Sequence, residues 1–381
     1  MFGALGIDTY LPSFLAIGED FKVSQVLVQQ TLSLYLFAFS FLMLFYGTLS
    51  DSFGRRPVIL WSLAIFILAS FGAALVTNFS GLLVCRVLQG LAAGGGAVVS
   101  RAIVRDRVSV VDAQKMLAYM MMVFSVAPAV APILGGWLHV AFGWRSIFVF
   151  LGVFGSIVWL ATVLALPESL PPEARHRFHL ATIAQNYWKV LKHPKFLLLS
   201  LAIGIASIGF SLYIGSAAQF IMNILHLPET AFGWMFIPLV GGTMAGSVLA
   251  ARFASRFPAH RVIYYGYSIM AVGVVWNVAY NAFFTASVPW AVLPLAMYSF
   301  GLSIASPALT VMVLEIFPKN RGLAASLQSF VQMMIFALIS GFVAPLIFQS
   351  AFRLACGVAV GFVLSFLVMK IGGLTREPIK P

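Results

Sequence analysis

The chain has 381 residues, enough for two or three soluble domains, yet 61% of it is hydrophobic, 35 residues are Phe and the mean hydropathy is +0.99. Repeated apolar runs of this kind serve a bilayer, whose ~30 Å core takes ~20 helical residues to cross; this excludes a soluble globular domain, and the absence of ~10-residue alternating strands excludes a β-barrel. The net charge of +12 is not gathered on one domain, as nucleic-acid binding requires, but scattered over short connectors between the runs.

In chain order the predicted spans are 1–17, 27–49, 58–77, 81–100, 116–138, 144–166, 196–222, 231–251, 262–283, 288–314, 321–347 and 350–371. This is an all-α integral membrane protein of twelve helices. One long polar insert, PESLPPEARHRFHLATIAQNYWKVLKHPK, separates spans six and seven. It divides the chain into a six-span bundle at 1–166, a cytoplasmic linker at 167–195, and a second six-span bundle with a short tail at 196–381.

Charge tests that topology. Nineteen of the 23 Lys and Arg fall on one side, among them Arg55, Arg56, Arg101, Arg105, Arg107, Arg177, Arg252, Arg321, Arg376 and Lys380. The other side holds Lys22, Arg145 and Arg353, and Arg86 lies inside a span. By the positive-inside rule both ends are cytoplasmic, and the location expected is a bacterial inner membrane. The first run ends at Glu19 and Asp20 without a small-residue cleavage site, so it is not read as a cleavable signal. Its 17 residues reach only ~25 Å. It is expected to continue upstream of Met1, or to be a short helix tolerated by local thinning of the bilayer.

The charge is densest in Gly47-Thr-Leu-Ser-Asp51-Ser-Phe-Gly54-Arg55-Arg56-Pro57, between spans two and three. GSVLAARFASRFPAHRVI, from Gly246, occupies the corresponding place in the second half but lacks the Asp and the Gly-Arg-Arg. Two halves with a faint internal repeat are an architecture of secondary transporters.

These residues resemble a known family. GTLSDSFGRRP is similar to the connector signature of the major facilitator superfamily. Arg86-Val-Leu-Gln89-Gly90 resembles its fourth-helix motif, and APAVAPILGG, with Pro128, Pro132, Gly135 and Gly136, resembles the fifth-helix motif of its antiporters. Asp8-Thr-Tyr10-Leu-Pro12, followed by QQTLSLYLFAFS, resembles the first two helices of the bicyclomycin/chloramphenicol-resistance (Bcr/CflA) subfamily of drug:proton antiporters. The resemblance implies export of small amphipathic molecules driven by proton entry, through alternating access of two six-helix bundles. It implies that Asp51 meets the start of the eleventh helix near Arg321 and Gly322, while Arg55 and Arg56 meet the connector at Arg105-Asp106. Together with Gly47 and Gly54 these residues form a latch between the bundles. It makes the fifth-helix motif a bundle contact that limits proton leak.

Asp8 is the main chemical candidate. It lies eleven residues before Glu19, ~16 Å along a helix and near the midplane. An ionised carboxylate is costly there, so a group that takes a proton when dry and releases it when wet suits proton coupling; a packing hydrogen bond is the plain alternative. Arg86 is the one basic residue inside a span, and Gln89 at i+3 shares its face. It either snorkels to the interface or faces the cavity as the partner of the coupling site.

Tyr35, Gln89, Tyr119, Tyr213, Gln219 and Gln332 are candidates to line a substrate cavity, with Asn277 and Gln328 beside them; each also suits a packing contact. GLAAGGG at 90–96 lacks GxGxxG and a following Lys-Ser/Thr, so it is read as a close-packing stripe, not a nucleotide loop. Cys85 and Cys356 sit inside apolar runs, and the histidines, His139, His176, His179, His193, His226 and His260, read as loop or interface residues. No metal or other cofactor is expected. Without a P-loop, a nucleophile–base pair or a His/Asp cluster in a span, an ATP-driven pump and an intramembrane hydrolase are excluded. The expected partners are a small-molecule substrate, protons and the lipid bilayer, with no nucleic acid, acting on a monomer. The alternative within transport, an importer or uniporter of one polar nutrient, calls for more charge inside the second-half spans.

Overall fold

A bilayer core offers no water to a peptide group, so the chain closes its backbone hydrogen bonds within helices. The computed structural model describes residues 2–108, 110–175 and 179–373. His176, Arg177, Arg376 and Lys380, used in the sequence reading, lie outside them.

The first run is not one span. Helix α1 (Phe2–Asp8) stops at Asp8, a 3-10 turn follows at Leu11–Ser13, and α2 (Phe14–Asp20) resumes. Pro12 has no N–H to give and crowds the preceding turn, which ends the helix inside the protein. The rest of the first half is continuous: α3 (Gln25–Phe53), α4 (Arg55–Leu75), α5 (Phe79–Arg107), α6 (Val110–Phe142) and α7 (Arg145–Ala165). Side chains cap two starts, with Ser24 Oγ accepting from Leu27 N–H at 3.4 Å and Asn78 Oδ1 from Gly81 N–H at 2.7 Å.

The linker carries α8 (Leu180–Leu191), whose Tyr187 hydroxyl donates to the Leu44 carbonyl on α3 at 2.7 Å. The second half begins with α9 (Pro194–Ala206) and α10 (Ile208–Gly215), bent by 45° at Ser207. It continues with α11 (Gly233–Ala254), α12 (Ala259–Phe283), α13 (Leu293–Glu315), α14 (Arg321–Leu338), α15 (Ala344–Ile347) and α16 (Ala351–Ile371). Wide π-turns at Gln219–Ile224 and Ile339–Val343 follow α10 and α14.

Among the described residues ten helices are long and apolar enough to cross a membrane, or eleven if α9 and α10 count as one. The remaining expected span, 1–17, is the broken pair α1–α2, which is not among these. Within the first half α3 and α4 pack on α5, and α7 on α4; within the second, α13 packs on α11 and α12, and α16 on α9. The halves meet along two seams, α3 against α14, and α6 against α11 and the turn Glu229–Phe232 that precedes it. The small-residue stripe acts where expected: a Cβ on Gly90 would stand 2.3 Å from the Tyr35 carbonyl, so α3 and α5 touch backbone to backbone.

Candidate functional site

The interior of the first half is organised by the break in α1. Asp8 is 3% exposed and Arg86 fully buried, yet no ion pair joins them. Arg86 instead donates through Nη2 to the Gly6 carbonyl at 3.0 Å, through Nε to the Thr31 carbonyl at 3.3 Å and through Nη1 to Gln89 Oε1 at 2.8 Å. Its guanidinium lies between two rings, 4.1 Å from the Tyr10 centroid and 4.3 Å from that of Tyr35. A guanidinium keeps its charge in such a place because carbonyl dipoles and aromatic faces replace its water. The snorkelling alternative is thereby overturned.

The network extends outward. Gln89 Nε2 donates to Ser70 Oγ at 2.8 Å, Tyr10 and Thr31 share a hydroxyl hydrogen bond of 2.7 Å, and the Tyr35 hydroxyl donates to the Gly3 carbonyl at 3.2 Å. Against this satisfaction stands the break itself, where Asp8 Oδ1, Thr9 Oγ1 and Ser13 Oγ are all buried without a hydrogen-bond partner. Buried oxygens of that kind are expensive, and here three of them are gathered within six residues.

Helix α6 seals this break with adjacent glycines. A Cβ on Gly135 would stand 1.7 Å from the Thr9 carbonyl, and one on Gly136 would stand 2.2 Å from the Glu229 carbonyl of the second half. Any side chain at either position is excluded. Pro132 and Pro128 lie one and two turns earlier, respectively, in the same helix.

At the opposite end of the helices the connector folds around Arg55. Its guanidinium binds the Asp51 carboxylate, Ser50 Oγ at 2.7 Å and Asp106 Oδ2 at 3.0 Å. Asp51, expected at the start of the eleventh helix, is thus engaged within its own half, and Arg321 and Gly322 are exposed. Arg56 donates to the Val163 carbonyl at 2.9 Å and not to the Arg105-Asp106 segment. Gly47 has open space where a side chain would be, and its carbonyl accepts from Ser50 Oγ at 2.9 Å. Gly54 has φ of 99°, the left-handed region where a Cβ is strained.

A family model described as the Major Facilitator Superfamily matches residues 1–215, more than half the chain. The chain belongs to the Major Facilitator Superfamily. It is a multi-pass membrane transporter and not an enzyme. It is 27% identical over 96% of its length, and 92% of the relative's, to a bicyclomycin resistance protein homolog of Haemophilus influenzae. It is 28% identical over 87% of its length, and 81% of the relative's, to the multidrug transporter MdfA of Yersinia pestis. The subfamily expected from the first two helices agrees with both. Among solved structures, a bacterial homolog of the human lysosomal transporter Spinster, inward-facing and unoccupied, superposes with a TM-score of 0.73 at 17% identity, covering 97% of this chain and 95% of that one. A D-xylose–proton symporter gives 0.72 at 17% identity, with coverage of 96% and 95%. At that identity the likeness concerns the fold.

In this facilitator the predicted residues fall into separate groups. Tyr35, Arg86 and Gln89 come together beside Asp8. Tyr213 pairs with Asn277 in the second half, whose Nδ2 donates to the Tyr213 hydroxyl at 3.3 Å, and Gln219 accepts from Asn223 at 2.5 Å. Gln332 lies on the α14 face that approaches Gly204 of α9. Tyr119 is 66% exposed and lines a groove of about 330 Å³ between α5 and α6 with Ser100, Arg101 and Phe124, apart from the Arg86 network.

Three functional features lay beyond the sequence reading. Tyr10, quoted there for its motif, forms one face of the Arg86 clamp. Gln29, Gln30 and Ser33 join the halves, donating to Ser340 Oγ at 2.7 Å, the Gly341 carbonyl at 2.9 Å and the Ala337 carbonyl at 2.8 Å. Glu168, read as plain linker, accepts from the backbone of Arg55 and Arg56.

Proposed function

We propose that this transporter is a proton-coupled exporter of small amphipathic drugs or metabolites, working as a monomer in a bacterial inner membrane with both termini and the connector end in the cytoplasm. The observation that carries the reading is Asp8: a buried carboxyl group at a helix break with neither counter-ion nor donor, one residue from a backbone contact with α6. An ionised carboxylate there would need one or the other, so whether the site is dry or wetted decides whether Asp8 carries its proton. Alternating access supplies that change of wetting.

The moving units are residues 1–166 and 196–381, joined by 167–195. The seam Gln29–Ser340 and the Gly136–Glu229 contact close the end away from the connector, while Asp51 is disengaged from α14. This supports an inward-facing arrangement, in which the latch is open. Substrate would bind between Tyr35 and Gln89 on one side and Tyr213, Gln219 and Gln332 on the other. Tyr119 and Arg101 lie on the route toward the connector end. Export is favoured over nutrient import because the buried charged residues among those described, Asp8, Arg55 and Arg86, all belong to the first half. The names of the bicyclomycin and multidrug relatives agree in substrate class.

The test is drug-induced proton release from everted vesicles holding the parent chain or Asp8→Asn, with bicyclomycin and ethidium as probes. The parent should release protons with at least one probe, and Asp8→Asn with none while remaining in the membrane. Undiminished coupling in Asp8→Asn would remove Asp8 from the mechanism.

A further inference from the structure

Helix α4 begins badly by the ordinary rules. Its first two residues are Arg55 and Arg56, cations at the positive end of a helix, its first turn contains no acid, and its N-cap, Gly54, has no side chain to offer. The missing cap arrives from 112 and 113 residues away. Glu168 Oε1 accepts from Arg55 N–H at 3.0 Å and Oε2 from Arg56 N–H at 3.2 Å. The same carboxylate accepts from Ser169 and Leu170 N–H at 2.8 and 3.0 Å, which fixes the turn that delivers it.

Gly54 makes room for this approach. A Cβ there would stand 2.5 Å from Glu168 Oε2 and 3.0 Å from Arg175 Nη2, so the glycine is required by the visiting carboxylate as well as by its own φ. Around the cap, Arg107 donates to the Glu168 carbonyl at 2.5 Å, and Ser169 Oγ donates to Asp106 Oδ2 at 3.2 Å. Partial burial works against the charged carboxylate, but the four backbone donors outweigh it and hold Glu168 below the usual carboxylate range.

We infer that Glu168 is the positioning residue of the connector latch: it fixes the first turn of α4 so that the Arg55 guanidinium is aimed between Asp51 and Asp106. The exit of α7, where the linker to the second half begins, then moves together with the connector as one body. The linker is in this way tied to the latch that it spans. The part this plays in the transport cycle rests on the alternating-access reading above.

The test uses the full chain in detergent micelles and in everted vesicles. In hydrogen–deuterium exchange, Glu168→Ala should speed the Arg55 and Arg56 amides at least about tenfold, since neither has an intrahelical acceptor, and leave α12 unchanged. Unchanged exchange at these two amides overturns the cap. Should Glu168→Ala fail to insert, Glu168→Gln carries the same measurement with one acceptor oxygen left.

In a double-mutant cycle, the melting losses of Glu168→Gln and Asp106→Asn should be clearly less than additive, because both act through Arg55; strict additivity overturns the positioning role. With ethidium as probe, both variants should lower turnover about tenfold at unchanged half-saturation, and parental turnover with a lost cap overturns the link to the latch. If the parent moves no ethidium, that export reading fails on its own, while exchange and the cycle still decide the role of Glu168.

Discussion

Gln29 on α3 donates through Nε2 to Ser340 Oγ at 2.7 Å, a buried hydrogen bond between the two halves. Ser340 lies in the π-turn that interrupts α14, and wide turns of this kind leave main-chain carbonyls short of their usual donors. Gln30 and Ser33 serve the neighbouring carbonyls of Gly341 and Ala337. A run of α3 side chains therefore completes an irregular stretch of its partner helix.

Each such bond contributes a net ~1 kcal/mol. Removing all three, in Gln29→Ala/Gln30→Ala/Ser33→Ala, should shift the closed-to-open balance at this end on the order of a hundredfold. Spin labels at Asn78 and Thr285, in loops of opposite halves at that end, report the distance. A distribution identical to the parent's would show that the seam does not hold the gate.

Arg86→Lys keeps the charge but not the fork. One ammonium cannot serve the Gly6 and Thr31 carbonyls and Gln89 together, nor lie flat between Tyr10 and Tyr35. Charge-assisted hydrogen bonds contribute about 1.5–3 kcal/mol each, so the variant should melt well below the parent and lose coupling. Thermal unfolding in detergent measures the first and vesicle proton release the second; parental values in both would mean that the clamp is dispensable.

Gly135→Ala and Gly136→Ala should separate two roles of α6. The first pushes against Thr9 within the first half and should cost about 1–3 kcal/mol of stability. The second pushes against Glu229 across the seam and should open the far end with a smaller loss of melting temperature. The label pair at Asn78 and Thr285, set beside the melting curves, tells the outcomes apart; identical effects would deny that the two glycines face different partners.

The Asp20–Arg145 pair gives the pH dependence. The Arg145 hydrogen bond is the main cause that holds the Asp20 carboxyl below its usual range, against the opposing effect of burial and with lesser help from Trp144 Nε1 at 3.0 Å. A carboxyl depressed in the folded state stabilises it above its ordinary pKa of about 3.9, and that contribution fades as pH falls through the folded value. Both side chains are 43% exposed, so Arg145→Ala should cost under about 1 kcal/mol at pH 7. The difference between variant and parent should shrink steadily below pH 4. A difference that is constant with pH would assign the effect to lost packing on Trp144.

The spans were legible because a bilayer imposes a length and a hydrophobicity that no other environment does; the predicted 350–371 and the observed Ala351–Ile371 differ by a single residue at one end. Asp8 and Arg86 stood out for the same reason, as charges where charge is costly. Their arrangement did not, since one-dimensional spacing does not tell that Arg86 takes the Gly6 and Thr31 carbonyls instead of the carboxylate. Pro12 was the available sign of that break. Gln29 and Gln30 were two adjacent amides inside a span, a signal passed over because their partners are 311 residues away. Glu168 offered an acid directly after Pro167 at the end of a span, on the side crowded with arginines, but only the folded chain brings it to Gly54.

Gly135 and Gly136 bear on the scale of the coupling. Asp8 adjoins the Thr9 carbonyl on one side of α6, and Glu229 of the second half meets the same helix one residue further on. Between them stands bare main chain, about 5 Å across at its Cα atoms, with no side chain to bend and absorb a displacement. Under the proton coupling proposed above, a proton taken up at Asp8 would have no long relay to drive: the load would pass through a single stiff spacer from the carboxyl group to the opposite bundle.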